Sequence, residues 1–361
     1  MSGPGAAMVR AARGVEERFD RWRFRLKVHR GWLDPVDVLP YRGHGTPRRA
    51  FIKGRVLERA GISRSSQRDP AWRNVVNMGR RFFSDEIPGA RVRARFYGAE
   101  VDATADAEGF FDVAFELAEP PVEDVAWHPV ELEVLWPLAR DQREARARGN
   151  VLIVREAEFG VISDLDDTVV RSSATSALKM ARIVLLNNAH TRLPFEGVAE
   201  FYRALRRGSG GQAFNPIFYV SSSPWNIYDV LEDFMDVHGV PKGPIFLKDW
   251  SPTVLGRHRE HKLRIIRTLL ATYPWLPFVL IGDSGQEDPE IYLQAAREHP
   301  NRIRAIYIRD VSGGERDAEV REMARRARSL GTEMVLAATS AEAAAHAASI
   351  GLIGATSGLS P

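Results

Sequence analysis

Apolar residues follow two different rhythms along this chain. Between positions 50 and 135 they come in short runs, 50–57, 91–96, 110–115 and 130–135, separated by turns such as 105–109. Short runs with turn punctuation predict a small β-sandwich over residues 35–148. One helical insert, 70–83, interrupts them, with Asp69 as its N-cap and Pro70 at its first position. The Pro- and charge-rich stretch 137–148 reads as a linker. From 149 to 361 the pattern alternates instead. Strand-type runs recur at 159–162, 216–220, 278–281 and 303–308, with helical patterns between them. A further strand at 334–338 and an Ala-rich helix at 340–350 close the series. Strand-then-helix repetition predicts a doubly wound, mostly parallel sheet.

Residues 1–34 form a third region. Val15, Phe19, Trp22 and Leu26 recur at helical spacing, and seven arginines and lysines between Arg10 and Lys27 flank them. Such a stripe either lies on an anionic bilayer or packs against the sandwich. The basic segment carries no recognisable nucleic-acid-reading motif, so no nucleic-acid partner is expected.

Composition narrows the chemistry. The chain of 361 residues has no cysteine, which excludes disulfides, thiolate metal sites and cysteine nucleophiles. No run approaches the roughly 18 apolar residues of a membrane helix, and no signal-peptide pattern opens the chain. A cytoplasmic protein, with peripheral membrane contact at most, is expected.

The chemistry concentrates at the ends of the later strands. The run Gly160-Val-Ile-Ser-Asp164-Leu-Asp166-Asp167-Thr168 closes a strand with two carboxylates at i and i+2 and a hydroxyl at i+4. Clustered acids repel one another and need a cation or proton to neutralise them, although an acidic turn is also a common surface feature. Ser221, Ser222 and Ser223 follow the run 217–220. They suit anion binding at a helix start, while Ser222 and Ser223 also suit capping of a helix opened by Pro224. His261-Lys262 begins the helix 263–273, where a lysine is usually solvated. Finally, Ile281-Gly-Asp283-Ser-Gly-Gln-Glu-Asp288-Pro ends a strand in an acid, and Asp288 also reads as a helix N-cap.

In this order and spacing, D-x-D-x-T, a strand-end serine, a lysine and G-D-x-x-x-x-D resemble the four motifs of the haloacid-dehalogenase phosphohydrolases. The fuller strings D-L-D-D-T, Y-V-S-S-S-P-W-N, H-K and I-G-D-S-G-Q-E-D-P-E-I-Y resemble the catalytic domain of actin-patch phosphatidate phosphatases, with lipins as distant relatives. The resemblance covers roughly residues 150–310. Asp167 stands where lipin-type motifs have glycine.

That resemblance implies a haloacid-dehalogenase-like (Rossmannoid) domain and a Mg²⁺-dependent phosphomonoester hydrolase. Asp164 would be the nucleophile and form an aspartyl-phosphate, and Asp166 would be the acid–base group. Asp164, Asp283, Asp288 and the backbone carbonyl of Asp166 would serve the metal. Ser221, Ser222 and Lys262 would hold the phosphoryl oxygens, and Thr168 would fix the first loop. The intervals between motifs hold a helix at 177–186 and loops at 187–194 and 206–213, so little or no cap is expected. An open site admits a bulky substrate, with phosphatidate first, then another phosphomonoester or a phosphoprotein. A membrane-binding scaffold with a secondary phosphatase domain is the reading from another class.

Overall fold

The computed structural model describes residues 24, 26–59, 86–122, 125–165, 197–248 and 258–354. The chain divides into two compact units, Met1–Ile153 and Val154–Pro361.

The first unit is β-rich. Its strands are β1 (Val36–Pro40), β2 (Gly43–Thr46), β3 (Arg49–Glu58), β4 (Arg91–Phe96), β5 (Ala99–Thr104), β6 (Phe110–Glu116), β7 (Trp127–Trp136) and β8 (Arg146–Ile153). Hydrogen bonds link all eight in one mixed sheet. Two blocks are visible within it: β1 and β6 both pair with β3, while β2, β8, β7, β4 and β5 follow in order, and the β2–β3 hairpin joins the blocks. Side chains alternate as strand geometry requires. Val92, Ala94 and Phe96 of β4 are buried with Val113 and Phe115 of β6 and Leu132 of β7 in one core. Arg93 and Arg95 point the other way and pair with Asp102, Glu100 and Glu133. Each fully buried Val, Leu or Phe contributes about 1.5–3 kcal/mol, so this core, not the exposed ion pairs, holds the unit.

One expectation changes here. The stretch 137–148 is not only a linker, because β8 starts at Arg146 and pairs along β7, and the unit ends at Ile153. Its Arg-rich start hid the strand: Arg146 and Arg148 face outward toward Glu133 and Glu131, while Val151 and Ile153 carry the apolar signal. The end of the basic N-terminal segment packs on the unit's core. Phe24 meets Trp136 edge-on at 6.2 Å, Val28 joins the same cluster, and Lys27 Nζ lies 2.5 Å from Glu58 Oε2. Val15, Phe19, Trp22 and the insert 70–83 lie outside the described residues.

The second unit is α/β. Its strands are β9 (Gly160–Asp164), β10 (Ile217–Pro224), β11 (Ile245–Lys248), β12 (Phe278–Asp283), β13 (Ile303–Arg309) and β14 (Glu333–Ala337). They form a wholly parallel sheet in the order β11-β10-β9-β12-β13-β14. The helices are α1 (Val198–Arg207), α2 (Tyr228–Val237), α3 (His258–Thr272), α4 (Asp288–Glu298), α5 (Asp317–Ser329) and α6 (Ser340–Ser349). A single 3-10 turn, Trp225–Ile227, precedes α2. Every residue of β9 and β12 is buried, as expected for strands covered on both faces. The chain leaves β9 toward β10 and β11, then returns across it to β12. The strand order therefore reverses between β9 and β12, the position where open α/β sheets bind ligands beyond the strands' carboxyl ends. β11 had no sequence signal of its own, being four residues long and hemmed by Pro241, Gly243 and Pro244.

Candidate active site

Asp164 closes β9 and Asp283 closes β12, and both side chains are fully buried. Strand pairing sets Ile281 opposite Ser163, which brings the two acids to the same edge. Asp288, also fully buried, is the first residue of α4. Carboxylate oxygens of Asp164, Asp283 and Asp288 lie within 4.8 Å of one another.

Lys262 supplies the balancing charge. It sits inside α3 and is 2% exposed, with Nζ 2.7 Å from Asp164 Oδ1 and 2.6 Å from Asp288 Oδ1. A lysine this buried is not the solvated surface residue that its sequence position allowed. The helix begins at His258, so Lys262 lies one turn in rather than at its start. The Asp288 carboxylate also accepts from the Asp283 N–H through Oδ2, at 3.2 Å. The N-cap of α4 is Glu287, and no side chain caps that helix. Asp288 therefore faces the cluster instead of the helix end.

Further hydrogen bonds surround the acids. Gly285 and Gln286 donate their N–H groups to Asp283 Oδ1 at 2.7 and 3.0 Å. Ser163 donates its hydroxyl to the Asp164 carbonyl at 2.7 Å, so the Tyr202 hydroxyl, 2.7 Å away, donates to Ser163. Burial raises the Tyr202 phenol above its ordinary range and keeps it a donor. Tyr292 bonds the Ile281 carbonyl at 2.9 Å, and burial followed by the charges of Asp288, Asp164 and Asp283 pushes its phenol up. Neither tyrosine was singled out by sequence, since each reads as an ordinary apolar-face residue of its helix.

The serine motif folds differently from the expectation. β10 does not stop at Val220 but runs to Pro224, with its register to β11 shifting between these residues. Ser221 is buried and its Oγ accepts from the Ser223 N–H at 2.9 Å. Ser223 caps no helix, because Pro224 and Ile227 occupy the N-cap positions that follow. Val220 pairs with Asp164, which sets Ser221 level with the start of the acidic loop, and Ser222 is half-buried beside it in sequence. Asp166, Asp167 and Thr168 lie outside the described residues. Lys248, at the carboxyl end of β11, is a cation that sequence reading missed. Burial lowers its pKa, and it shares the edge that carries the acids.

The donor set is that of a hard cation. With the acids ionised, three carboxylates against the one ammonium of Lys262 leave two negative charges in a buried space. Oxygen donors and that residual charge fit Mg²⁺.

The parallel α/β unit thus gathers buried strand-end acids and a buried lysine at its switch point. Residues 159–310 match the family described as the catalytic domain of phosphatidate phosphatase APP1. Phosphatidate phosphatase APP1 of Saccharomyces cerevisiae is 34% identical over 164 residues, 44% of this chain and 27% of that protein. An uncharacterized protein of Schizosaccharomyces pombe is 27% identical over 222 residues, 59% of this chain and 35% of its own length. The chain thus spans about a third or less of the length of these curated relatives. A carbohydrate acetylesterase structure from Xanthomonas citri aligns over 82% of this chain and 66% of its own at 15% identity. Its TM-score is 0.30, too low to group the folds.

Proposed function

We propose that the chain is a Mg²⁺-dependent phosphatase that hydrolyses phosphatidate to diacylglycerol and phosphate. The observation that carries this reading is the buried Asp164–Lys262–Asp288 bridge beside Asp283, at the point where the parallel sheet reverses its strand order. The wholly parallel sheet supports a haloacid-dehalogenase-like, Rossmannoid assignment for the second unit. The two strand blocks around one core support a β-sandwich for the first.

In this reading an Asp164 oxygen attacks phosphorus, the bond to the glycerol oxygen breaks, and Asp166 protonates the leaving alkoxide. Asp166 then takes a proton from water, whose oxygen attacks phosphorus and releases Asp164. Lys262 stabilises the charge that develops on the phosphoryl oxygens, and Ser221 and Ser222 donate hydroxyls to them. Asp288 holds Lys262 toward Asp164. Asp164 and Asp283, with the carbonyl of residue 166, would hold Mg²⁺, which offsets the phosphoryl charge that otherwise repels a nucleophile. No described helix is long and apolar enough to cross a membrane. The enzyme reaches its lipid from the bilayer surface, with the arginines from Arg10 to Arg25 drawn to anionic headgroups.

A phosphate-release assay with Mg²⁺ tests this against phosphatidate vesicles, nucleotides, sugar phosphates and phosphopeptides. Turnover of phosphatidate above the others is expected. Turnover of a soluble ester alone would overturn the lipid assignment, and release from none would overturn the phosphatase reading and favour a scaffold.

A further inference from the structure

Arg316 lies outside the family-matched segment and follows the last of its strands, β13, yet it reaches back to the loop behind Asp283. Its Nη1 donates to the Ser284 carbonyl at 3.0 Å and to the Gln286 carbonyl at 2.6 Å. Its Nη2 pairs with Glu290 on α4, and its Nε pairs with Glu319 on α5 at 3.2 Å. The same loop is tied a second time. Ser284 Oγ accepts from the Val311 and Ser312 N–H groups at 3.0 and 3.2 Å, and the Ser284 N–H donates to the Arg309 carbonyl at 2.8 Å.

One peptide plane joins the arginine to the acid. The Ser284–Gly285 peptide gives its N–H to Asp283 Oδ1 and its C=O to Arg316. Its dipole is therefore aligned between a carboxylate and a guanidinium, each favouring the end it meets. The planar fork of this arginine spreads its donors over two carbonyls and two carboxylates, against the three donors that a lysine carries on one nitrogen. We infer that Arg316 is a positioning residue: through the Ser284–Gly285 peptide it fixes the Asp283 carboxylate in the plane required to hold a divalent cation. The inference rests on reading Asp283 as an ion ligand.

The sign of the effect separates this role from plain electrostatics. Removing a nearby positive charge by itself favours a cation, because less repulsion remains. Loosening the carboxylate acts in the opposite direction, and removing groups that orient a ligand typically costs about 10–100-fold in metal affinity.

Mn²⁺ binding to the full chain, followed by loss of the free-ion electron paramagnetic resonance signal without substrate, is the test. Arg316→Ala should weaken Mn²⁺ binding by about tenfold or more. Arg316→Lys should fall between it and the parent, and Arg321→Ala, which removes an exposed arginine one turn along α5, should leave binding unchanged. The Gly285 amide proton, shifted downfield by its carboxylate bond, should move upfield in Arg316→Ala. Unchanged or tighter Mn²⁺ binding in Arg316→Ala would overturn the inference. If that variant does not fold, Arg316→Lys binding Mn²⁺ like the parent does so. A parent that binds no Mn²⁺ overturns the ion site itself, and an unmoved Gly285 amide then refutes the peptide link independently.

Discussion

A Cβ atom at position 282 would lie 2.4 Å from Oδ2 of Asp288 and 2.8 Å from its Cβ. Gly282 is therefore the reason Asp288 can lie against the end of β12, where it accepts from the Asp283 N–H and grips Lys262. Gly282→Ala should push Asp288 away and misalign Lys262. The expected cost is about 1–3 kcal/mol of stability from overpacking and about a hundredfold in turnover from displaced groups. Chemical denaturation and phosphate-release kinetics read the two losses separately. Parent-like kinetics would show that Asp288 need not sit where it does.

Lys262 bridges two buried acids, Asp164 and Asp288, so replacing it should be expensive. Lys262→Met should lower stability by about 3–5 kcal/mol, the usual cost of breaking a buried pair from one side. A divalent cation should return more of that loss in the variant than it adds to the parent, since only the variant lacks its ammonium. Calorimetry with Mg²⁺ and with a chelator measures both, and a variant that melts like the parent would remove the bridge from the energetics.

The two acids of the first motif should fail differently. In the proposed mechanism Asp164→Asn removes the nucleophile, and phosphate release should drop to background while the protein still folds. Asp166→Asn should lose about 10²–10⁴-fold on an alkyl phosphate and less on an aryl phosphate, whose leaving group needs little protonation. Equal losses of Asp166→Asn on both substrates would argue against proton transfer at that residue.

His44 makes the first unit sensitive to acid. Burial lowers its pKa from 6.5 to about 4 in the folded protein. As pH falls below the unfolded value, the unfolded chain takes up the proton first. Stability is thus present above about pH 6.5 and lost as pH drops toward about 4, a change of about 3 kcal/mol. His44→Gln should flatten the denaturation midpoint across that window. A slope equal to the parent's would assign the acid sensitivity elsewhere.

Much of this architecture is legible in the order of residues. Period-two alternation with outward arginines marks β4, continuous apolar runs mark β9, β12 and β13, and a strand-end acid follows two of these runs because polar groups collect where buried strands emerge. Asp164 and Asp283 can be picked out from such local cues, and Lys262 only through the motif resemblance. Strands β5 and β8 escape because their polar residues outnumber or mask the apolar signal. The serine motif misleads because Pro224 suits both a helix start and the end of an extended strand.

What the tertiary structure decides is which groups share one small volume. The burial of Lys262 between Asp164 and Asp288, 98 positions from the first and 26 from the second, depends on the packing of α3, β9 and α4. The same holds for the role of Gly282, whose missing side chain matters only because a carboxylate six residues further along folds back onto it. Arg316 looks like one more arginine beside an arginine-rich helix until the loop geometry brings it to the carbonyls behind Asp283. Local propensity is encoded over a few residues and can be read there. Charge compensation and close approach are properties of distance in space, which the sequence specifies only by folding.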